Sequence, residues 1–260
     1  MSSQTILYTA EPLPPKELLP TMYDLPEEEI GQSGMPDIFH EWQGRLLDET
    51  FHPPNYGLEE ICTAVDLNLY YNVRDFSQYK RPDWFAVVGL PKDKKQEMRM
   101  SYVIWQEEIA PLIVVELLSP STMKDDLGKR LRAVNQPPTK WEVYEQWLQV
   151  PYYVTFSKHT EELRIFTLTS KGYQEVTNHG GQLWIEEIEL GIGLWQGEYL
   201  HHNRLWLRWY DRAGNWIPTP EERVERETQR ARQERQRAKA AMQKVKELEA
   251  KLRALGIDPD

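Results

Sequence analysis

The run Leu112-Ile113-Val114-Val115-Glu116-Leu117-Leu118 constrains this chain more than any other segment. An almost unbroken apolar stretch rich in β-branched residues predicts a central strand covered on both faces. Glu116 then lies where an unpartnered carboxylate is costly, so it must be protonated, ion-paired or bound to a cation. Taken alone, a Lys or Arg partner explains it as well as a metal does.

A second carboxylate shifts that balance. Asp83, in Arg81-Pro82-Asp83-Trp84, stands at the mouth of another apolar strand, Phe85-Ala86-Val87-Val88. A Pro-Asp pair by itself is an ordinary turn. Followed by a strand with a central Glu, it has the layout of a nuclease metal site. Hard cations such as Mg²⁺ take carboxylate oxygens and keep several waters. Two carboxylates on adjacent strands can hold such an ion and leave positions for a phosphate and a water.

Pro82-Asp83 followed by Val114-Val115-Glu116-Leu117-Leu118-Ser119-Pro120-Ser121-Thr122 resembles the Uma-type restriction-endonuclease-like family, of the PD-(D/E)XK nuclease fold. Lys140-Trp141-Glu142-Val143-Tyr144 and Val150-Pro151-Tyr152-Tyr153-Val154 are similar to the helix and strand that follow in that family. The resemblance spans residues 36–215, and Leu205 to Tyr210 through Pro218-Thr219-Pro220 is similar to a subset of these proteins. It implies an α/β/α core around a mixed sheet, and Mg²⁺ or Mn²⁺ held by Asp83 and Glu116 with the backbone carbonyl of Leu117. It also implies hydrolysis of nucleic-acid phosphodiesters, with DNA the expected substrate. A nuclease fold is not itself an activity. The alternative is a catalytically silent member acting through its C-terminal helix.

The sequence departs from the usual nuclease motif at Leu118, where a Lys normally follows the Glu by two residues. The family commonly moves that Lys to the next helix, and two candidates compete. Lys140 shares a helix face with Tyr144, four residues on, which favours it. Lys129 is nearer to Glu116 in sequence but breaks that register, and residues 130–139 read as an insertion that delays the helix. Either could be a plain surface lysine. Asp126 matches an acidic position of the family and could equally be a helix cap. His40 falls on the first helix, where the family often has a histidine; a solvated role is its bland reading. Glu41 and Asp66 are weaker candidates for the same cleft. His201-His202 lacks metal-ligand spacing, and Ser119 and Ser121 read as turn residues, with no Gly-flanked serine elbow. There is no Gly-rich phosphate loop or dinucleotide fingerprint.

The remaining pattern is α+β. Residues 1–35, with many Pro and acidic residues, read as an irregular lead-in. A helix is expected from Asp37 to Phe51, with Ile38, Trp42, Leu46 and Leu47 on one face and Pro53-Pro54 as its stop. Strands are expected at Ile61–Tyr71, Trp84–Leu90, Ser101–Gln106 and Pro111–Leu118. A helix at Trp141–Leu148 follows, then strands at Pro151–Phe156, Leu163–Leu168, Tyr173–Val176 and Leu183–Ile188. The late tryptophans (Trp184, Trp195, Trp206, Trp209, Trp216) can stack on bases, but filling the core of a β-meander is the plainer reading. These elements define a domain over residues 36–217.

Residues 218–260 differ in character. Pro218-Thr219-Pro220-Glu221-Glu222 starts a helix, and no further Gly or Pro occurs before Gly256. Val224, Ala231, Ala238, Val245 and Leu252 recur every seven residues, partnered by Ala241, Leu248 and Leu255, while Glu227 and Glu234 weaken the first half. A dimerising coiled coil, a solvated helix and a basic arm all fit this pattern. The whole chain carries a net charge of −10. That balance opposes tight non-specific DNA binding unless basic groups cluster locally or divalent metal offsets the carboxylates. The single cysteine, Cys62, excludes an intrachain disulfide framework and suits a reducing cytoplasm. No secretory signal or bilayer-length apolar run is apparent, so a cytoplasmic location is expected.

Overall fold

The computed structural model describes residues 37–92, 98–119, 123–129, 136–176 and 181–254. The proline-rich lead-in, Pro120 to Thr122, residues 130–135 and Leu255 lie outside them.

Helix α1 (Ile38–Thr50) begins at Asp37, whose carboxylate accepts from the His40 N–H at 3.1 Å and satisfies one of the helix's unpaired donors. It is followed by β1 (Ile61–Val65), β2 (Leu69–Tyr70), β3 (Tyr79–Lys80), β4 (Trp84–Val88), β5 (Tyr102–Val103) and the short helix α2 (Ile104–Glu107). Strand β6 (Ile113–Leu117) carries Glu116, and the one-turn helix α3 is Met123–Asp126. Helix α4 starts at Lys140–Glu142 and widens into a π-type turn over Val143–Trp147. Then come β7 (Tyr152–Phe156), β8 (Leu163–Thr169), β9 (Gly172–Glu175), β10 (Gln182–Ile185), β11 (Leu190–Tyr199), β12 (His202–Tyr210) and the long helix α5 (Pro220–Ala254).

The main sheet has the order β1-β4-β6-β7-β8-β9, with β6 and β7 parallel and the other pairs antiparallel. All five residues of β6 are buried, as expected for a strand covered on both faces. Trp84, Ile113, Val115 and Leu117 face α1 and the antiparallel sheet β10-β11-β12. Phe85, Val87 and Val114 face the other way, against Val143 and Tyr144 of α4. This gives the mixed-sheet α/β/α core of an α+β protein, with a β-meander added beside α1.

Gln43 joins α1 to that meander. Its side-chain amide donates to the Leu207 carbonyl and accepts from the Leu207 N–H, both at 2.9 Å, so a buried polar side chain completes the open edge of β12. Gly44 lets α1 approach β1, since a Cβ there would come within 2.7 Å of Val65. Trp206 and Trp209 are buried in the core, which assigns these two late tryptophans to packing.

Two expected strands are corrected. The alternation over Ile61–Tyr71 continues past the true end of β1, because the chain turns into left-handed backbone at Asp66 (φ 53°) before resuming at β2. Asp66 therefore belongs to a turn rather than a strand face. Of Ser101–Gln106, only Tyr102 and Val103 are strand; Ile104–Glu107 coils instead, with Glu107 buried in an ion pair to Arg99 at 2.9 Å.

Candidate metal centre

The ladder between β4 and β6 places Trp84 opposite Val115, so Asp83 falls opposite Glu116 at the next position. Side chains alternate across a strand, which puts both carboxylates on the face that carries Phe85, Val114 and α4. The Asp83 carboxylate accepts from the Leu117 N–H at 2.5 Å, an interaction between the first carboxylate and the peptide that follows the second.

Glu116 is fully buried. Lys140 Nζ donates to Oε2 at 2.7 Å and the Tyr144 hydroxyl donates to Oε1 at 2.8 Å. Both donors come from α4. Thr139 caps its start, accepting from the Glu142 N–H, while Glu142 accepts from the Thr139 N–H, which fixes where Lys140 begins the helix. Asp126, also buried, stands 3.7 Å from Lys140 Nζ. Burial pushes the Glu116 carboxyl well above its ordinary range; Lys140 opposes that shift, and the charges of Asp83 and Asp126 add to it. Burial alone would lower the Lys140 ammonium, but Glu116, Asp126 and Asp83 outweigh it and hold it charged. Three carboxylates thus face one lysine, an excess of negative charge in a desolvated pocket.

Of the two lysine candidates, Lys140 reaches Glu116, whereas Lys129 is exposed and its charge acts on Glu175 instead. His40 also enters the site. Its Nε2 lies 3.2 Å from the Leu117 carbonyl and its Nδ1 lies 2.8 Å from Asp37, which in turn pairs with Lys158. Asp37, Ile38, His40, Glu41, Val65, Asp66 and Asp83 line an open cleft of about 390 Å³. Asp83 is thus shared between this cleft and the buried Glu116 pocket. Arg81 pairs with Asp66 at the same cleft. His201 is exposed beside Glu198, and its neighbour His202 lies against Trp42 at 4.7 Å.

Sequence reasoning passed over Tyr144, Asp37 and Lys158 as site residues. Tyr144 was accessible through its four-residue spacing from Lys140. The Asp37–Lys158 pair spans 121 positions and carries no local signal.

Among the described residues, no group of three or more His, Cys, Asp or Glu side chains is arranged to hold a metal ion. Mg²⁺ does not require such a cage, because it commonly uses one or two carboxylates and retains water. The donor set fits such an ion in kind: two carboxylates on facing strand positions, a carbonyl beside them, and unbalanced negative charge.

Among curated proteins, none matches the chain. A solved structure that resembles it is that of "a putative nuclease belonging to DUF820" from Anabaena variabilis, with 12% identity and a TM-score of 0.38, covering 60% of this chain and 77% of that one. The family model Uma2, described as "Putative restriction endonuclease", matches residues 13–200, and the chain belongs to that family.

Proposed function

We propose that this chain is a divalent-metal-dependent endonuclease acting on DNA, with Mg²⁺ or Mn²⁺ held by Asp83, Glu116 and the Leu117 carbonyl. The observation that carries this reading is that Asp83 lines the open cleft and also stands opposite buried Glu116, which Lys140 holds. When bound, the ion would supply Lewis acidity toward the scissile phosphate and its attacking water.

The protein's own groups have distinct tasks. Glu116 is held by Lys140 and Tyr144, so it cannot rotate away from Asp83 without breaking two charge-assisted hydrogen bonds. Lys140 opposes the rise in the Glu116 pKa that burial causes, and provides a cation where phosphate charge develops. Arg81 and Lys158, each paired with a cleft carboxylate, are placed to exchange those partners for phosphate oxygens. His40 orients the Leu117 peptide from the cleft side.

The test is direct. The full-length chain, incubated with duplex and single-stranded DNA, is expected to cut with Mg²⁺ or Mn²⁺ and to stop when the metal is chelated. Calorimetry with Mn²⁺ should show binding that strengthens as pH rises above the ordinary carboxylate range. The sign follows from competition, since proton and ion contend for the same Glu116 oxygens and burial favours the proton. A protein that binds neither ion and cuts neither DNA refutes the proposal.

Tyr144→Phe probes the support rather than the site itself. Loss of a single outer hydrogen bond to a ligand carboxylate is expected to reduce metal affinity or cleavage by about 10-fold. The check is an Mn²⁺ titration alongside a melting curve, because the hydroxyl donates to Glu116 and the ring should still pack in the core.

A further inference from the structure

Helix α5 is 35 residues long and has no buried residue. At 1.5 Å per residue it extends roughly 52 Å. Its root is fixed: buried Arg208 pairs with Glu222, donates to the Ile217 carbonyl at 2.8 Å and lies 4.2 Å from the centre of the Trp195 ring. Beyond that anchor the helix exposes Val245 and Leu248, each about half accessible, with Met242 still more exposed. A helix that is polar throughout needs no cover, but this one fills both core positions of the heptad with apolar residues in its second half.

We infer that residues 238–252 of α5 pair with the same segment of a second copy of this chain, as a parallel two-stranded coiled coil. With Val245 assigned to the first core position, Ala238 and Leu252 share that position and Ala241 and Leu248 take the second. A β-branched residue at the first position with Leu at the second favours two parallel strands. The flanking charges select the same orientation. In a parallel pair, Lys244 of each helix faces Glu249 of the other, giving two attractive contacts per dimer. In an antiparallel pair the same seam sets Lys244 against Lys251, giving two repulsive ones.

The first half of the helix cannot extend the seam. Glu227 and Glu234 occupy core positions, and Arg230 would face Arg235 of the partner helix. The two helices therefore separate before residue 238, leaving roughly 27 Å of unpaired helix between the stem and each folded body. The seam is short, so the association is expected to be reversible and dependent on concentration.

Sedimentation of the full-length chain across a concentration series tests this. The natural sequence is expected to pass from monomer to dimer. Leu248→Asp should weaken dimerisation by more than ~100-fold, because an apolar core contact is lost in both chains. Val224→Asp, outside the seam, should leave it unchanged. Orientation is read from Lys244→Glu, which should weaken a parallel dimer about 10-fold and be restored by adding Glu249→Lys. A chain that stays monomeric throughout, a dimer indifferent to Leu248→Asp, or a Lys244→Glu variant that associates more tightly would each overturn the proposal.

Discussion

Asp83→Asn and Glu116→Gln are each expected to lower metal-dependent cleavage by more than ~100-fold. Removing a group that merely supports a metal ligand typically loses 10- to 100-fold, so removal of a direct ligand should exceed that range. The amide variants isolate charge from shape. Asn at position 83 keeps an oxygen that can accept from the Leu117 N–H, and Gln at position 116 keeps one for Lys140 or Tyr144. Both proteins should therefore melt as cooperatively as the natural sequence measured beside them, while their Mn²⁺ calorimetry becomes flat. Retained cleavage in either folded variant would remove that carboxylate from the site. Retained metal binding with lost cleavage would place the ion elsewhere and leave the carboxylate a role in chemistry alone.

The parts of this centre that sequence could reveal are those set by short-range pattern. Continuous apolar character made β6 a covered strand, and its sole carboxylate stood out for that reason. The expected helix Asp37–Phe51 lies within one residue of α1 at each end, because Asp37 is a strong cap and Pro53-Pro54 prevents continuation. The strand through Asp66 was misread for a physical reason. Alternation records which residues could face a core, but not where the partner strand stops. The β1–β4 ladder ends at Val65 opposite Trp84, and Arg81 then holds the Asp66 turn by donating to its backbone carbonyl at 3.0 Å and pairing with its carboxylate. Ile104–Glu107 shows the same limit, since β-branched and aromatic composition favoured strand while the buried Arg99–Glu107 pair accompanies a helical turn. The cleft wall at Asp37 and His40, with Lys158 paired to Asp37, depends on packing between distant elements, which no local period encodes.

Lys140→Met is expected to destabilise the fold by ~3–5 kcal/mol at neutral pH, the usual range when one member of a buried ion pair is removed. Lys140 retains some exposure, 21% of its side chain, so water can partly replace it and the lower end of that range is favoured. Glu116 has no such recourse, being fully buried and facing the charges of Asp83 and Asp126. Its remaining relief is to take up a proton. In the folded variant its pKa rises further above the unfolded value, so the folded state binds more protons across that interval. Stability is then greatest below the unfolded carboxylate range and falls as pH rises through the folded value, so the deficit against the natural protein should widen toward neutral pH. Chemical denaturation at acid and neutral pH measures that slope directly. Adding Glu116→Gln removes the stranded charge, and the double variant should be more stable at neutral pH than Lys140→Met alone. The expected coupling is about 0.5–3 kcal/mol, the range seen for residues in one ion-pair network. A double variant whose loss equals the sum of the two single losses would mean that Lys140 and Glu116 act independently, and Lys140 would then be a surface lysine near the site rather than the charge that holds Glu116 in place.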